Sequence, residues 1–172
     1  MQPVDPGMTA KTLIIGYGSP IRGDDAIGPL AAEALMAAPL PREVSVIARH
    51  ILTAELAAEI ATAERVIFLD ASVTGEPGEV RVQTLAPDAS ALSSMAHFLS
   101  PRELLAWCQA LYGHQPAAWL VTATGQSFTY AHCRLSPLAT AAMEVMLAEV
   151  QALIGRPAAG ISSPASSRNG GW

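Results

Sequence analysis

Apolar runs of strand length alternate with longer segments of helical period along most of this chain. The run Leu13-Ile14-Ile15, closed by Gly16, is typical of a buried strand. The next segment predicts a helix, and either Asp24 or Asp25 is placed to be its N-cap. Its apolar positions follow the i, i+3, i+4, i+7, i+8 spacing of one helix face and are Ile27, Leu30, Ala31, Ala34 and Leu35.

The remaining elements follow from the same reasoning. Residues 79–85 alternate apolar and polar side chains and come directly after a Gly-Glu-Pro-Gly turn, which predicts an antiparallel edge strand. Ser100 with Pro101 and Glu103 predicts a capping box, and Gly113 is placed to end that helix. Further strands are predicted at 44–48, 66–70 and 119–124, and helices at 53–62, 101–112 and 137–154.

The order β-α-β-α-β-β-α-β-α indicates a three-layer α/β/α fold around a five-stranded mixed sheet with one antiparallel strand. The whole pattern fits one α/β domain spanning residues 1–155. From Arg156 the chain is rich in Pro, Ala, Ser and Gly without a period, so residues 156–172 are expected to form a disordered tail.

Three polar residues are expected at one edge of this sheet. In open α/β sheets the site lies beyond the carboxyl ends of the parallel strands. Asp25 follows the first strand, Asp70 ends the third, and His97 precedes the third helix. Two carboxylates and an imidazole suit a divalent metal with open positions for water or substrate. The alternative is that the acids act as caps and hydrogen-bond partners of loops, and that His97 is a loop histidine.

Composition narrows the function class. The 172 residues are 51% apolar and only 15% charged, with a formal net charge of −5, which argues against nucleic acid as the main partner. The mean hydropathy is +0.31, but no uncharged apolar run reaches the length of a membrane span. Two distant cysteines and a start without a signal-peptide pattern predict a cytoplasmic protein.

Two other site types fit poorly. Gly16 and Gly18 begin like a dinucleotide loop, but Ile21 stands where a third glycine is needed, and aspartates at the helix start would repel a pyrophosphate. Residues 125–128 begin like a nucleophile elbow, but Thr129 replaces the closing glycine. No nucleophile is assigned.

The segment from Leu13 to Gly28 resembles the N-terminal signature of the [NiFe] hydrogenase maturation proteases. Its residues are Leu13-Ile14-Ile15-Gly16-Tyr17-Gly18-Ser19-Pro20-Ile21-Arg22-Gly23-Asp24-Asp25-Ala26-Ile27-Gly28. The resemblance continues through Val66 to Ala71, Ser94 to Ser100 and Leu135 to Pro137, and so covers most of the chain. Two departures are Ser19, where the family commonly has asparagine, and the Met95-Ala96 pair before the histidine.

The resemblance implies an endopeptidase that recognises nickel in the precursor of a hydrogenase large subunit and removes its C-terminal extension. It implies that Asp25, Asp70 and His97 are metal ligands, that the nickel is carried by the substrate, and that His50 and Thr53 contact the substrate. Loop packing and a helix N-cap are equally open roles for the last two. A non-catalytic nickel-binding assembly factor and a nucleotide-binding domain remain alternatives.

Only five residues are aspartates, and three of them, Asp24, Asp25 and Asp70, are predicted at this one edge. The acidic balance of the chain is therefore expected to be local, forming a small anionic mouth that suits a cation carried by another protein.

Overall fold

The computed structural model describes residues 11–90, 98–130 and 133–156, and they form a sheet covered by helices on both faces. A single 3-10 turn (Gly23–Ala26) precedes the first helix. The strands are β1 (Thr12–Tyr17), β2 (Val44–Arg49), β3 (Arg65–Ser72), β4 (Val80–Leu85) and β5 (Ala117–Thr124). The helices are α1 (Ile27–Ala37), α2 (Leu56–Ile60), α3 (Pro101–Tyr112) and α4 (Pro137–Ile154).

The five strands lie in the order β2-β1-β3-β5-β4. Strands β2, β1, β3 and β5 run parallel to one another, and β4 pairs antiparallel with β5 at one edge of the sheet. The predicted mixed sheet with one antiparallel strand is therefore confirmed. The central strand β3 is buried on both faces from Val66 to Leu69, as its unbroken apolar run predicts. Both β3 and β5 extend beyond their predicted bounds, β3 at both ends and β5 at its start.

Alternate residues of the parallel strands pack into two separate hydrophobic cores, one on each face of the sheet. Ile15 and Phe68 pack with α2 and α3 on one face of the sheet. Ile14 and Ile67 pack with α1 and α4 on the other. Because successive side chains of a strand point to opposite faces, a central strand needs apolar residues at every position to fill both cores. The three-layer α/β/α architecture is therefore confirmed.

The predicted ends of the two long helices are present. The Glu103 backbone N–H donates to Ser100 Oγ (3.3 Å), and the Ser100 N–H donates to Glu103 Oε2 (2.5 Å), forming the capping box of α3. Gly113 ends this helix in the left-handed conformation (φ +63°). The Ser136 hydroxyl caps α4 by accepting a hydrogen bond from the Ala139 N–H (3.2 Å).

Two helix starts were predicted wrongly. Neither Asp24 nor Asp25 caps α1, because both lie inside the 3-10 turn and the capping position is taken by Ala26. The second helix is shorter than the predicted 53–62, because the N–H groups of residues 56–58 bond three residues back, in 3-10 fashion, to the carbonyls of 53–55. Only Leu56–Ile60 takes the wider α-helical geometry.

Helix α4 is, within the described part of the chain, the one helix long and apolar enough to cross a membrane by length and composition. It lies against the sheet, where Met146, Val150 and Leu153 are buried in the core that α4 shares with α1. The tail predicted to be disordered lies, beyond Arg156, outside the described residues, and the domain boundary at 155 stays a prediction.

Candidate functional site

The carboxyl ends of β1 and β3 meet in the middle of one sheet edge. Gly16 of β1 pairs with Leu69 of β3, so the next residues along the two strands, Tyr17 and Asp70, stand side by side. Asp70 continues the alternation of Val66 and Phe68, and its side chain therefore belongs to the face covered by α2 and α3. Strand pairing thus brings a phenol next to a carboxylate at the position where α/β sheets bind ligands.

Asp70 is a partly buried carboxylate with few donors. Burial raises its pKa to about 6, although a hydrogen bond from the Tyr17 hydroxyl and one from the backbone N–H of Ala71 act in the opposite direction. The Ala71 N–H donates to Asp70 Oδ1 at 2.8 Å. The charge of Asp25 adds to the upward shift of the pKa. Asp70 therefore sits where a negative charge is costly unless a cation arrives.

Tyr17 is the donor that holds Asp70. Its pKa is raised well above the usual tyrosine range by burial, by the charge of Asp70, by the hydrogen bond to Asp70 and by the charge of Asp25. The phenol is consequently protonated at any physiological pH and acts as a fixed hydrogen-bond donor. No feature of the sequence pattern pointed to this role, because Tyr17 occupies a strand position that any apolar side chain could fill.

Asp25 reaches the same edge from the 3-10 turn. Its Oδ2 atom accepts a hydrogen bond from the Ser19 backbone N–H (2.8 Å), which fixes the carboxylate over the loop that follows β1. Its negative charge is near enough to raise the pKa of both Asp70 and Tyr17. The structure therefore brings Asp25 and Asp70 together, while their role as metal ligands stays a prediction.

Asp24 lies at the same edge, but it is fully buried and faces the loop that follows β5. Its Oδ2 atom accepts from the N–H groups of Gln126 (2.7 Å) and Ser127 (3.0 Å) and from the Ser136 hydroxyl (2.8 Å). Its Oδ1 atom accepts from the Ser136 N–H (2.6 Å). All three aspartates therefore lie at the predicted edge, but Asp24 is buried against the loop after β5, and only Asp25 and Asp70 contribute to the anionic mouth.

The hydrogen bonds of Asp24 compensate its burial. Burial alone would raise its pKa, but the backbone N–H groups of Ser136, Ser127 and Gln126, together with the Ser136 hydroxyl, hold the pKa below its usual range. Asp24 is thus ionised and satisfied without a cation.

The third predicted ligand, His97, lies outside the described residues. Over the parts of the chain that the structure covers, no group of three His, Cys, Asp or Glu side chains is close enough to hold a metal ion. The pair Asp25 and Asp70 still fits a divalent cation in its chemistry, since two adjacent carboxylates repel each other until a cation lies between them.

The two predicted substrate contacts follow the carboxyl end of β2, the strand next to β1, at the same edge of the sheet. His50 is exposed and Thr53 is half-buried, so both side chains could be reached by a partner. The N-cap of α2 is Glu55, and Thr53 therefore does not cap that helix through its side chain. Substrate contact by His50 and Thr53 remains a prediction.

The glycines around the first loop, including Gly28 in the first turn of α1, allow close packing of the backbone. A Cβ atom on Gly28 would lie 2.5 Å from the carbonyl oxygen of Leu69, so α1 sits directly on the strand ends. The amide of Ser19, which a phosphate would need, already donates to Asp25. This arrangement disfavours a nucleotide at the loop. In the elbow-like segment the Ser127 hydroxyl is 3.1 Å from the Thr129 hydroxyl, and a neutral hydroxyl does not act as the general base of a nucleophilic serine.

No protein-family model and no curated protein matches the chain. Solved structures do match. One is the hydrogenase maturating endopeptidase HybD from E. coli, at 26% identity and a TM-score of 0.67 over 84% of this chain and 91% of that one. Another is the [NiFe] hydrogenase maturation protease HycI from Thermococcus kodakarensis KOD1, at 26% identity and a TM-score of 0.66 over 84% and 92%.

A third is the hydrogenase 2 maturation peptidase from Thaumarchaeota archaeon SCGC_AB-539-E09, at 26% identity and a TM-score of 0.66 over 84% and 98%. These similarities extend over nearly the full length of each solved chain. The resemblance that the sequence carries to the hydrogenase maturation proteases is therefore confirmed, and with it the assignment of the chain to the peptidase class of hydrolases.

Proposed function

We propose that this chain is an endopeptidase that recognises nickel in the precursor of a [NiFe] hydrogenase large subunit and removes its C-terminal extension. The observation that carries the proposal is the pair of carboxylates, Asp25 and Asp70, brought to the carboxyl edge of a sheet whose fold is similar to solved maturation endopeptidases. His97 completes the proposed ligand set.

The surroundings of the carboxylate pair favour a protein substrate. The loops after β1, β2, β3 and β5 each expose a large apolar or aromatic side chain at this edge, and Phe98 before α3 is 66% exposed. Exposed apolar side chains around a polar site mark protein interaction surfaces. The four loop residues are Ile21, Ile51, Val73 and Tyr130.

The residues of the chain have separable roles in the proposed reaction. Asp25 and Asp70 bind and orient the nickel that the precursor brings. Tyr17 donates to Asp70 and keeps its carboxylate in place. A divalent metal supplies Lewis acidity, which polarises a scissile carbonyl or lowers the pKa of water. Either carboxylate is in a position to accept a proton, and the general base is not assigned.

The nickel belongs to the substrate in this proposal, and the chain has no cofactor of its own. We place the reaction in the cytoplasm, which fits a chain whose two cysteines, Cys108 and Cys133, are both free thiols. Recognition of the metal then reports that the precursor has been loaded, and cleavage follows only after loading.

The test is cleavage of a purified precursor with and without nickel. The full chain is mixed with nickel-loaded large-subunit precursor, and mass spectrometry follows release of a C-terminal peptide. We expect release from the loaded precursor and none from the nickel-free one. Asp25→Ala and Asp70→Ala should each abolish release, whereas Glu33→Gln, which alters an exposed carboxylate of α1, should leave it unchanged.

The alternatives give different results in the same assay. A nickel-binding assembly factor would bind the loaded precursor and release no peptide under any condition. A nucleotide-binding domain would bind neither form but would give a calorimetric signal with dinucleotides. Equal cleavage of both precursor forms would contradict nickel recognition while leaving the peptidase assignment intact.

A further inference from the structure

Asp24 and Asp25 are adjacent in sequence but have opposite environments. Asp24 is fully buried, whereas Asp25 is only partly buried. Consecutive residues of a 3-10 turn point about 120° apart, so the side chains of two neighbouring acids face different directions. The structure gives Asp25 the site and turns Asp24 toward the segment that joins β5 to α4.

The carboxylate of Asp24 is occupied by donors of the chain itself. Four N–H or O–H donors lie 2.6–3.0 Å from it, three on Oδ2 and one on Oδ1, and the residue is fully buried. Within the described residues the ion pairs are Arg49 with Glu59 and Arg81 with Glu79, so Asp24 takes part in none of them. Among the described residues, hydrogen bonds rather than an ion pair stabilise its charge.

These bonds join three segments of the chain. The Asp24 N–H also donates to the Ser127 carbonyl (2.8 Å), so both the backbone and the side chain of Asp24 bond to the loop after β5. The Ser136 hydroxyl donates to Asp24 while it caps α4, and the orientation of that hydroxyl is therefore fixed at both ends. The 3-10 turn, the loop after β5 and the start of α4 are consequently joined by hydrogen bonds to one residue.

Close backbone packing locks the turn from two sides. A Cβ atom on Gly23 (φ +56°) would lie 2.5 Å from the Ser127 carbonyl oxygen, and one on Gly125 would lie 2.8 Å from Asp24 Cβ. On the opposite side, Gly18 (φ +142°) packs directly against the carbonyl oxygen of Asp25. The position of Asp25 therefore depends on contacts that Asp24 anchors.

We infer that Asp24 is a positioning residue, which fixes the 3-10 turn against the loop after β5 so that the Asp25 carboxylate stays on the Ser19 amide and beside Asp70. The consequence for nickel binding rests on the proposed function, but the consequence for the position of Asp25 does not. Substitution of a group that orients a metal ligand typically weakens metal affinity by about 10- to 100-fold.

The experiment compares Asp24→Asn with the wild-type full chain. An amide places an NH₂ group where the carboxylate accepted hydrogen bonds, so donors face donors. Amide hydrogen exchange by NMR follows the Ser19 N–H, which is bonded to Asp25, and calorimetry measures affinity for Ni²⁺ alone. We expect faster exchange at Ser19 and a loss of Ni²⁺ affinity of about tenfold or more.

A matched control separates positioning from general loss of stability. Arg65→Met removes two hydrogen bonds to the carboxyl end of α4. Asp24 of the 3-10 turn bonds to Ser136, at the opposite end of that helix. Arg65→Met should lower the melting temperature while leaving Ser19 exchange and Ni²⁺ affinity as in the wild type. If Asp24→Asn fails to fold, Ser136→Ala, which removes one donor to Asp24, takes its place with a smaller effect in the same direction.

The outcomes are distinguishable. Wild-type protection of Ser19 in folded Asp24→Asn or Ser136→Ala would overturn the inference, as would an equal loss of protection in Arg65→Met. Faster exchange at Ser19 in a chain whose wild type binds no Ni²⁺ would support the positioning role of Asp24 and contradict the proposed nickel site.

Discussion

Gly28 lies so close to the backbone of Tyr17 that no side chain fits between them. A Cβ atom at Gly28 would overlap the Tyr17 carbonyl oxygen and lie 2.9 Å from the Tyr17 nitrogen. This contact seats the first turn of α1 on the ends of β1 and β3. Asp25, three residues before Gly28, is thereby brought over the strand position where Asp70 follows Leu69.

Gly28→Ala should therefore damage both the fold and the site. The added methyl group forces α1 away from the strand ends, and overpacking of this kind costs about 2–3 kcal/mol of unfolding free energy. Displacement of α1 also moves Asp25, so the affinity for Ni²⁺ should fall. Urea denaturation and calorimetry measure the two effects.

Gly113→Ala is the matched control for that substitution. Unlike Gly28, Gly113 has a positive φ (+63°) that favours glycine, but no atom lies within 4 Å of the position of its Cβ. The expected cost is only the backbone strain of about 1 kcal/mol, with Ni²⁺ affinity unchanged. Equal costs for the two alanines would contradict the role of close packing at Gly28.

Asp70→Asn should stabilise the free protein near neutral pH. The folded pKa of about 6 lies above the ordinary value of 3.8, so the folded state binds the proton more tightly than the unfolded state does. The contribution of Asp70 to stability is then lost as pH rises from about 4 to above 6. At about pH 7 asparagine removes this cost, for an expected gain of about 1–2 kcal/mol after allowance for partial exposure.

The pH dependence of that gain is the decisive measurement. Denaturation curves at about pH 7 and about pH 4 should show a gain that nearly vanishes at the lower value. Asp88→Asn is the control with opposite sign, because hydrogen bonds from the Ser90 hydroxyl and N–H lower the pKa of Asp88. A gain at Asp70 that is independent of pH would contradict the electrostatic explanation.

Much of the fold could be predicted because its signals are local. The edge strand β4 follows from alternation, and the ends of α3 and α4 follow from serine caps, since a side chain that bonds the helix start is read from neighbouring residues. The meeting of Asp25 and Asp70 at one edge follows from parallel strand direction.

The rest depends on contacts between distant segments. Nothing in the Asp24-Asp25 pair shows which acid is buried, because the partners of Asp24 lie more than 100 residues away, at Gln126, Ser127 and Ser136. The 3-10 turn that displaced the predicted N-cap is imposed by the same contacts. The hydrogen bond from Tyr17 to Asp70 likewise required the register of β1 with β3.

Arg65→Met should weaken the attachment of α4 to the sheet. Arg65 is 5% exposed, and its Nη1 donates to the carbonyl oxygens of Leu153 (3.3 Å) and Ile154 (3.4 Å), at the helix end that carries partial negative charge. Hydrogen bonds from a charged donor contribute about 2 kcal/mol.

Thermal denaturation measures the loss at Arg65, and hydrogen exchange at the last turn of α4 should accelerate with it. Arg42→Met, which changes an exposed arginine before β2, should alter stability by no more than about 0.5 kcal/mol. If Arg65→Met has the same melting temperature as the wild type, the two hydrogen bonds to the carbonyl groups contribute nothing measurable to stability.

The two capping serines should differ in value. Ser100 is exposed and its hydroxyl caps only α3, so Ser100→Ala should cost about 1 kcal/mol. Ser136→Ala removes the cap of α4 and also one of four donors to the buried Asp24 carboxylate, for an expected cost of about 2–3 kcal/mol.

The larger cost at Ser136 should depend on pH. Because the pKa of Asp24 is held below its usual range, the cost beyond that of a helix cap is present above about pH 4 and disappears as pH falls through the folded pKa. Urea denaturation of both variants across this range decides the matter, and equal costs at every pH would show that the hydrogen bond from Ser136 to Asp24 adds nothing to the helix cap.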